Sequence, residues 1–93
     1  MVNPHVNYLE AWFNGRVQGV GFRYTTLQIA KEFEVTGTVQ NLIDGRVHLI
    51  AEGTGDEISA FVNEISNQME AYIRDTEIKE GQGPRRYRTF EII

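Results

Sequence analysis

Segments of helical periodicity alternate with segments of two-residue alternation in this chain, and the order in which they occur admits very few architectures. Over residues 8–14, Leu9, Ala11 and Phe13 fall on one side of a two-residue repeat, the mark of a strand with one face on a core. Over residues 22–34, Phe22, Thr26, Ile29, Ala30 and Phe33 recur at helical spacing, with Gln28, Lys31, Glu32 and Glu34 elsewhere on the cylinder. Residues 35–41 and 46–52 read as two strands joined through Leu42-Ile43-Asp44-Gly45, since Asp-Gly tolerates the positive φ of a tight hairpin. Val35, Gly37, Val39 and Asn41 then share one side, as do Val47, Leu49 and Ala51. Thr54-Gly55-Asp56-Glu57 has the spacing of a capping box, in which hydroxyl and carboxylate satisfy each other's backbone donors. Ile58, Phe61, Val62, Ile65 and Met69 follow as the apolar stripe of a second helix. Residues 71–80 and 87–93 look like strands, and Gly81-Gln82-Gly83-Pro84-Arg85-Arg86 between them reads as a loop.

The resulting order is βαββαβ, with the last β divided. It predicts an α+β, ferredoxin-like sandwich: an antiparallel sheet with two helices on one face. Ninety-three residues suffice for one such domain over 1–93, with residues 1–7 expected as a flexible N-terminal tail. The start at Met1 and a whole fold at this length read as a free-standing protein.

Composition narrows the function. A formal charge of −4 disfavours a general nucleic-acid binder, which carries excess Lys and Arg to offset phosphate charge. With no cysteine there is no disulfide, no thiolate nucleophile and no sulfur ligand, and with only His5 and His48 an imidazole-rich metal site is not expected. Residues 1–7 lack the basic start and apolar core of a signal peptide, and no apolar run approaches the ~20 residues that cross a membrane. A monomer in the cytoplasm is the expectation, with neither membrane nor nucleic acid as partner.

The chemistry concentrates in Gly15-Arg16-Val17-Gln18-Gly19-Val20-Gly21-Phe22-Arg23, where the first strand gives way to the first helix. Glycines at 15, 19 and 21 permit positive φ and close backbone approach, and successive N–H groups in such a turn form a nest for oxyanions. A helix beginning near Phe22 adds its free N–H groups, and Arg23 adds a planar fork of donors suited to phosphate. Arg23 sits where a cation opposes the helix dipole unless an anion offsets it. Asn41 is the second informative residue. Strand parity puts it on the helix-facing side at a strand end, near the glycine turn if the first strand lies close by. An amide is no general base, yet it accepts and donates hydrogen bonds and so can orient a water.

These residues resemble the acylphosphatase family. The segment from Gly15 to Arg23 matches the first family signature. Gly37-Thr38-Val39-Gln40-Asn41, with Asp44-Gly45-Arg46-Val47 and Gly53, matches most of the second. The likeness extends over nearly the whole chain, to a late strand at Phe90-Glu91-Ile92. It implies hydrolysis of a carboxyl-phosphate anhydride to carboxylate and phosphate, with a small acyl phosphate as substrate and with no metal or cofactor. By position it assigns the backbone of Arg16, Val17, Gln18, Gly19 and Val20 to the phosphate, Arg23 to its oxygens and Asn41 to the attacking water. The leaving acid has a pKa of roughly 4 to 5 and departs as an anion without a general acid, so alignment and charge stabilisation suffice. The chain departs from the family at Thr38, where an aromatic residue is usual. Its parity places it on the outer face, where the change should affect solvent-side packing.

Two other readings stand beside this one: a phosphate-binding module with little turnover, such as a domain of a larger carbamoyl-transferring protein, and an RNA-binding domain of the same topology. Arg85, Arg86 and Arg88 are read as a solvated loop and His48 as a surface histidine. Tyr8 and Trp12 share the outer face of the first strand and are expected under partial cover by the C-terminal segment rather than as a base-stacking platform.

Overall fold

The computed structural model describes residues 5–93. Its elements are β1 (His5–Gly15), α1 (Phe22–Ala30), β2 (Thr36–Asn41), β3 (Val47–Gly53), α2 (Gly55–Gln68), β4 (Ile73–Pro84) and β5 (Phe90–Ile92). This is the predicted order, with the final strand divided. The strands form one sheet in the order β4-β1-β3-β2-β5. Leu9, Ala11 and Phe13 on β1, Val39 on β2, and Val47, Leu49 and Ala51 on β3 make its buried face, packed against Phe22 and Ile29 of α1 and Phe61 and Ile65 of α2. Phe13 meets Phe22 at 5.0 Å between ring centroids, and Phe61 meets Phe90 edge-on at 5.4 Å. Each such side chain contributes about 1.5–3 kcal/mol by leaving water.

The sheet is mixed rather than wholly antiparallel. β5 runs parallel to β2, with Gly37 opposite Phe90 and Val39 opposite Ile92. The cause is topological: β4 and β5 occupy opposite edges, so residues 85–89 cross one end of the sheet and enter the far edge beside the start of β2.

Three local expectations are corrected. α1 ends at Ala30 instead of running to Glu34. Lys31, Glu32 and Phe33 donate to carbonyls three residues back, and the Glu34 N–H is drawn off to Glu57 Oε1 at 2.7 Å. That bond also undoes half of the capping box. Thr54 Oγ1 accepts from the Glu57 N–H at 3.3 Å, but the Glu57 carboxylate caps the end of α1 rather than its own helix. Lastly, residues 81–84 are strand rather than loop. His5, Val6, Asn7 and Tyr8 pair with Pro84, Gly83, Gln82 and Gly81, so residues 5–7 belong to β1 and not to a tail; residues 1–4 of that expected tail lie outside the described residues. At Gly81 a Cβ would strike the Tyr8 side chain, so glycine at this position leaves room for that ring.

The outer face differs from expectation in its polar detail. Glu52, with its side chain 1 % exposed, accepts the N–H groups of Arg86 and Tyr87 at 3.0–3.2 Å, fastening the crossing segment to the sheet. The Arg86 guanidinium lies over the rings of Tyr8 and Tyr87, and Arg85 donates to Thr36 Oγ1 at 2.8 Å. Arg85 and Arg86 are therefore tied to the sheet rather than to solvent alone. Of the two aromatic residues on β1, Tyr8 has the expected C-terminal cover, whereas Trp12 is stacked on His48 at 5.1 Å. His48 is no surface histidine: it is half-buried, 2.9 Å from Glu10 Oε2. Thr38 lies on the outer face as expected, yet it is buried, and its hydroxyl has no hydrogen-bond partner among the described residues.

Candidate active site

The loop between β1 and α1 is anchored at several points. Val17 is fully buried in the core, Val20 packs against it, and the Arg16 N–H donates to Tyr72 O at 2.9 Å. The Arg16 amide is thus an anchor, leaving residues 17–20 to form any cradle. Gly19 and Gly21 take φ of 77° and 79°, the left-handed region that a side chain disfavours. No heavy atom lies within 4 Å of where a Cβ would stand at either one, so conformation rather than crowding demands glycine, and the space beside them is open.

Gly21 is also the N-cap of α1, and it contributes no side-chain cap bond. The first turn holds no acidic residue and carries Arg23 instead. A cation at this position opposes the helix dipole, and among the described residues no hydrogen bond or ion pair engages the Arg23 side chain. The local electrostatics favour an anion from outside the chain.

Asn41 ends β2 opposite Val47 of β3, which in turn stands opposite Phe13 of β1. The ends of β1 and β2 therefore lie at the same end of the sheet, but β3 separates them, so the asparagine is two strands from the loop's origin. Its side chain too has no hydrogen-bond partner among the described residues. The loop crosses the end of β3 to reach it. Gln18 Nε2 donates to Leu42 O at 2.7 Å and to Arg46 O at 3.0 Å, both at the base of the β2–β3 hairpin. The hairpin turn itself is closed by Asp44, whose Oδ1 accepts the Arg46 N–H at 3.0 Å and whose Oδ2 meets Arg46 Nε at 2.9 Å. These bonds, the Arg46 N–H first, hold the Asp44 carboxyl below the usual carboxylate range.

Gly19, Gly21, Arg23 and Asn41 line one depression of about 230 Å³, together with Tyr24 and Ile92. The structure thus brings together Arg23, Asn41, Val17 and Gly19 from the predicted set. Gln18 borders the same end through its hairpin bonds, while Arg16 is exposed beside Tyr72 in a neighbouring hollow. A larger hollow, about 580 Å³, lies at the opposite end of the sheet between Glu34, Gly53 and Arg85. It lacks a glycine nest, and its arginine is already bonded to Thr36. Sequence reasoning overlooked the Gln18 side chain: the local sign was only a long amide inside a glycine turn, and its carbonyl partners lie 24 and 28 residues away.

Comparison with known proteins identifies the family and the fold. The acylphosphatase family profile matches residues 9–92. An acylphosphatase from Archaeoglobus fulgidus is 39% identical over 85 residues, covering 90% of this chain and 94% of its relative. Among solved structures, acylphosphatase from Bacillus subtilis superposes with a TM-score of 0.85 at 30% identity, covering 94% of this chain and 98% of that one. HypF from T. kodakarensis also superposes, with a TM-score of 0.80 at 30% identity over 94% of this chain, although the match covers only 12% of HypF. The chain belongs to the acylphosphatase family, enzymes acting on small-molecule acyl phosphates.

Proposed function

We propose that the depression at the end of β1 and β2 hydrolyses acyl phosphates by in-line attack of a water held by Asn41 on a phosphoryl group held by Arg23 and the backbone of residues 17–20. The observation that carries this reading is that Arg23 and Asn41, neither engaged by any described residue, line one depression together with Gly19 and Gly21. The phosphoryl group fills the nest, where loop amides and the α1 N-terminus stabilise its charge. Arg23 donates to two of its oxygens and offsets part of the charge spread over the phosphoryl oxygens in the transition state. Asn41 accepts a hydrogen bond from the water and orients its lone pair at phosphorus, opposite the departing oxygen. The P–O bond to the acyl group breaks as the water's oxygen bonds to phosphorus. The water's proton passes to a phosphate oxygen, and the carboxylate leaves unprotonated.

Carboxylate departure needs no acid, and Arg23 supplies the cationic charge that phosphoryl transfer needs, so the reading has no place for a metal or cofactor. The enzyme acts as a cytoplasmic monomer in this reading. This reading also gives no role to nucleic acid; what supports it is that the outer-face aromatics Tyr8 and Trp12 are engaged by Arg86 and His48, with the carboxylates of Glu10 and Glu52 beside them.

Hydrolysis of benzoyl phosphate in ¹⁸O-labelled water with excess EDTA tests the mechanism. The expected result is undiminished turnover with the label in inorganic phosphate. Label in benzoate would place the attack at carbon, and a chelator-sensitive rate would contradict the metal-free path. Absent turnover with intact phosphate binding would favour the non-catalytic module.

A further inference from the structure

Gln18 has two halves with different duties. Its backbone lies in the proposed phosphate cradle, while its side chain turns away and crosses the end of β3. Both N–H groups of its amide meet carbonyl oxygens, Leu42 O at 2.7 Å and Arg46 O at 3.0 Å. Neither carbonyl can donate, so the nitrogen of the amide must be the atom facing them. Each already accepts a backbone bond: Arg46 O from the Leu42 N–H at 2.8 Å, Leu42 O from the Gly45 N–H at 3.1 Å. The amide takes their second lone pairs, and so clamps the rung that closes the hairpin.

Leu42 directly follows Asn41. Because β3 stands between β1 and β2, the strand from which the phosphate loop springs and the Asn41 strand are separated by about two inter-strand spacings, roughly 10 Å, and the loop must span that gap. We infer that Gln18 is a positioning residue: through its side-chain amide it fixes the distance between the phosphoryl group in the loop and the water on Asn41. In-line attack requires the reacting atoms to be held about 3–3.5 Å apart, and a displacement of about 1 Å can cost on the order of a hundredfold in rate. A direct bridge controls that gap better than a path through the β3 ladder. The inference rests on the assignment of Asn41 made above.

Gln18→Met keeps the length and removes both donors; Gln18→Glu keeps the shape and turns an acceptor toward two carbonyls. Each is assayed with benzoyl phosphate, with inorganic phosphate as competitive inhibitor, in the wild-type and the Asn41→Ala backgrounds. Gln18→Met is expected to lower kcat about tenfold while phosphate inhibition shifts no more than about twofold, which also certifies that the loop is folded. In the Asn41→Ala background the same substitution should cost less than about twofold, because the group it positions is gone. Gln18→Glu should regain rate relative to Gln18→Met as pH falls toward about 4, where a protonated carboxyl can again donate; should Gln18→Met fail to fold, this variant carries the same cycle. A tenfold loss that persists in full beside Asn41→Ala would overturn the inference, as would a loss confined to phosphate binding. Wild-type kcat in Asn41→Ala itself would instead remove the assignment on which the inference stands.

Discussion

The two ends of the sheet use polar groups in opposite ways. At the end where β1 begins and β3 finishes, polar groups satisfy one another: Glu52 takes the N–H groups of Arg86 and Tyr87, Glu57 takes that of Glu34, and Arg85 reaches Thr36. At the end where β1 and β2 finish, the polar bonds go to the frame around the depression. Gln18 ties loop to hairpin, Arg16 ties loop to Tyr72 and Asp44 closes the turn, while Arg23 and Asn41 engage no described residue. One end is built to hold the fold and the other to hold something else. The larger hollow belongs to the first end, and Gly19, Gly21, Arg23 and Asn41 to the second, so size and chemistry point to different ends.

If this contrast is right, substitutions at the two ends should separate activity from stability. Arg23→Ala has the largest expected effect: about a thousandfold loss in kcat/KM for benzoyl phosphate, as for removal of a charged transition-state donor, with an unchanged or slightly raised melting temperature. Near-wild-type rates would break the contrast from the catalytic side. Glu52→Ala should do the reverse, leaving two backbone donors unpaired and lowering stability by about 2–4 kcal/mol in urea titration, with kcat preserved in the folded fraction. An equal loss of kcat would mean that the two ends are coupled. Thr38→Val removes a buried hydroxyl that has no partner among the described residues while keeping the β-branched shape, and should stabilise by about 0.5–1 kcal/mol.

The smallest effect belongs to Asp44. Its folded carboxyl sits below the ordinary 3.8, so its contribution to the hairpin is present above that value and is lost as pH falls through the lower folded one. Because the group is solvent-exposed, the change should be slight and salt-sensitive, visible as a local shift of the Gly45 and Arg46 amide resonances below about pH 4 and absent in Asp44→Asn.

Much of this arrangement was legible because its determinants are local. The alternation of Leu9, Ala11 and Phe13, the stripe of Ile58, Phe61, Val62 and Ile65, and the Asp44-Gly45 turn each fix an element within a few residues. The candidate site was legible for the same reason, since Gly19, Gly21 and Arg23 are close in sequence and Asn41 stands in a recognisable strand-end context. What escaped depends on partners far along the chain. Nothing near Glu57 says that its carboxylate will cap α1 at Glu34 instead of its own helix. Gly81 to Pro84 carry every local sign of a loop, yet become strand because β1 extends to His5 and offers a ladder. Glu52 reads as an outward-facing strand residue until the crossing segment covers it. The Gln18 bridge spans 24 and 28 residues, beyond the reach of any periodicity.

The division of labour between Arg23 and Asn41 is the centre of the account, and inorganic phosphate as an inhibitor probes it most directly. Asn41→Ala should lose most of its kcat yet bind phosphate as the wild type does, because the anion is held by the loop and Arg23. Arg23→Ala should lose both. Phosphate binding weakened equally by both substitutions would contradict the account, since it would make Asn41 part of the anion grip rather than the holder of the water.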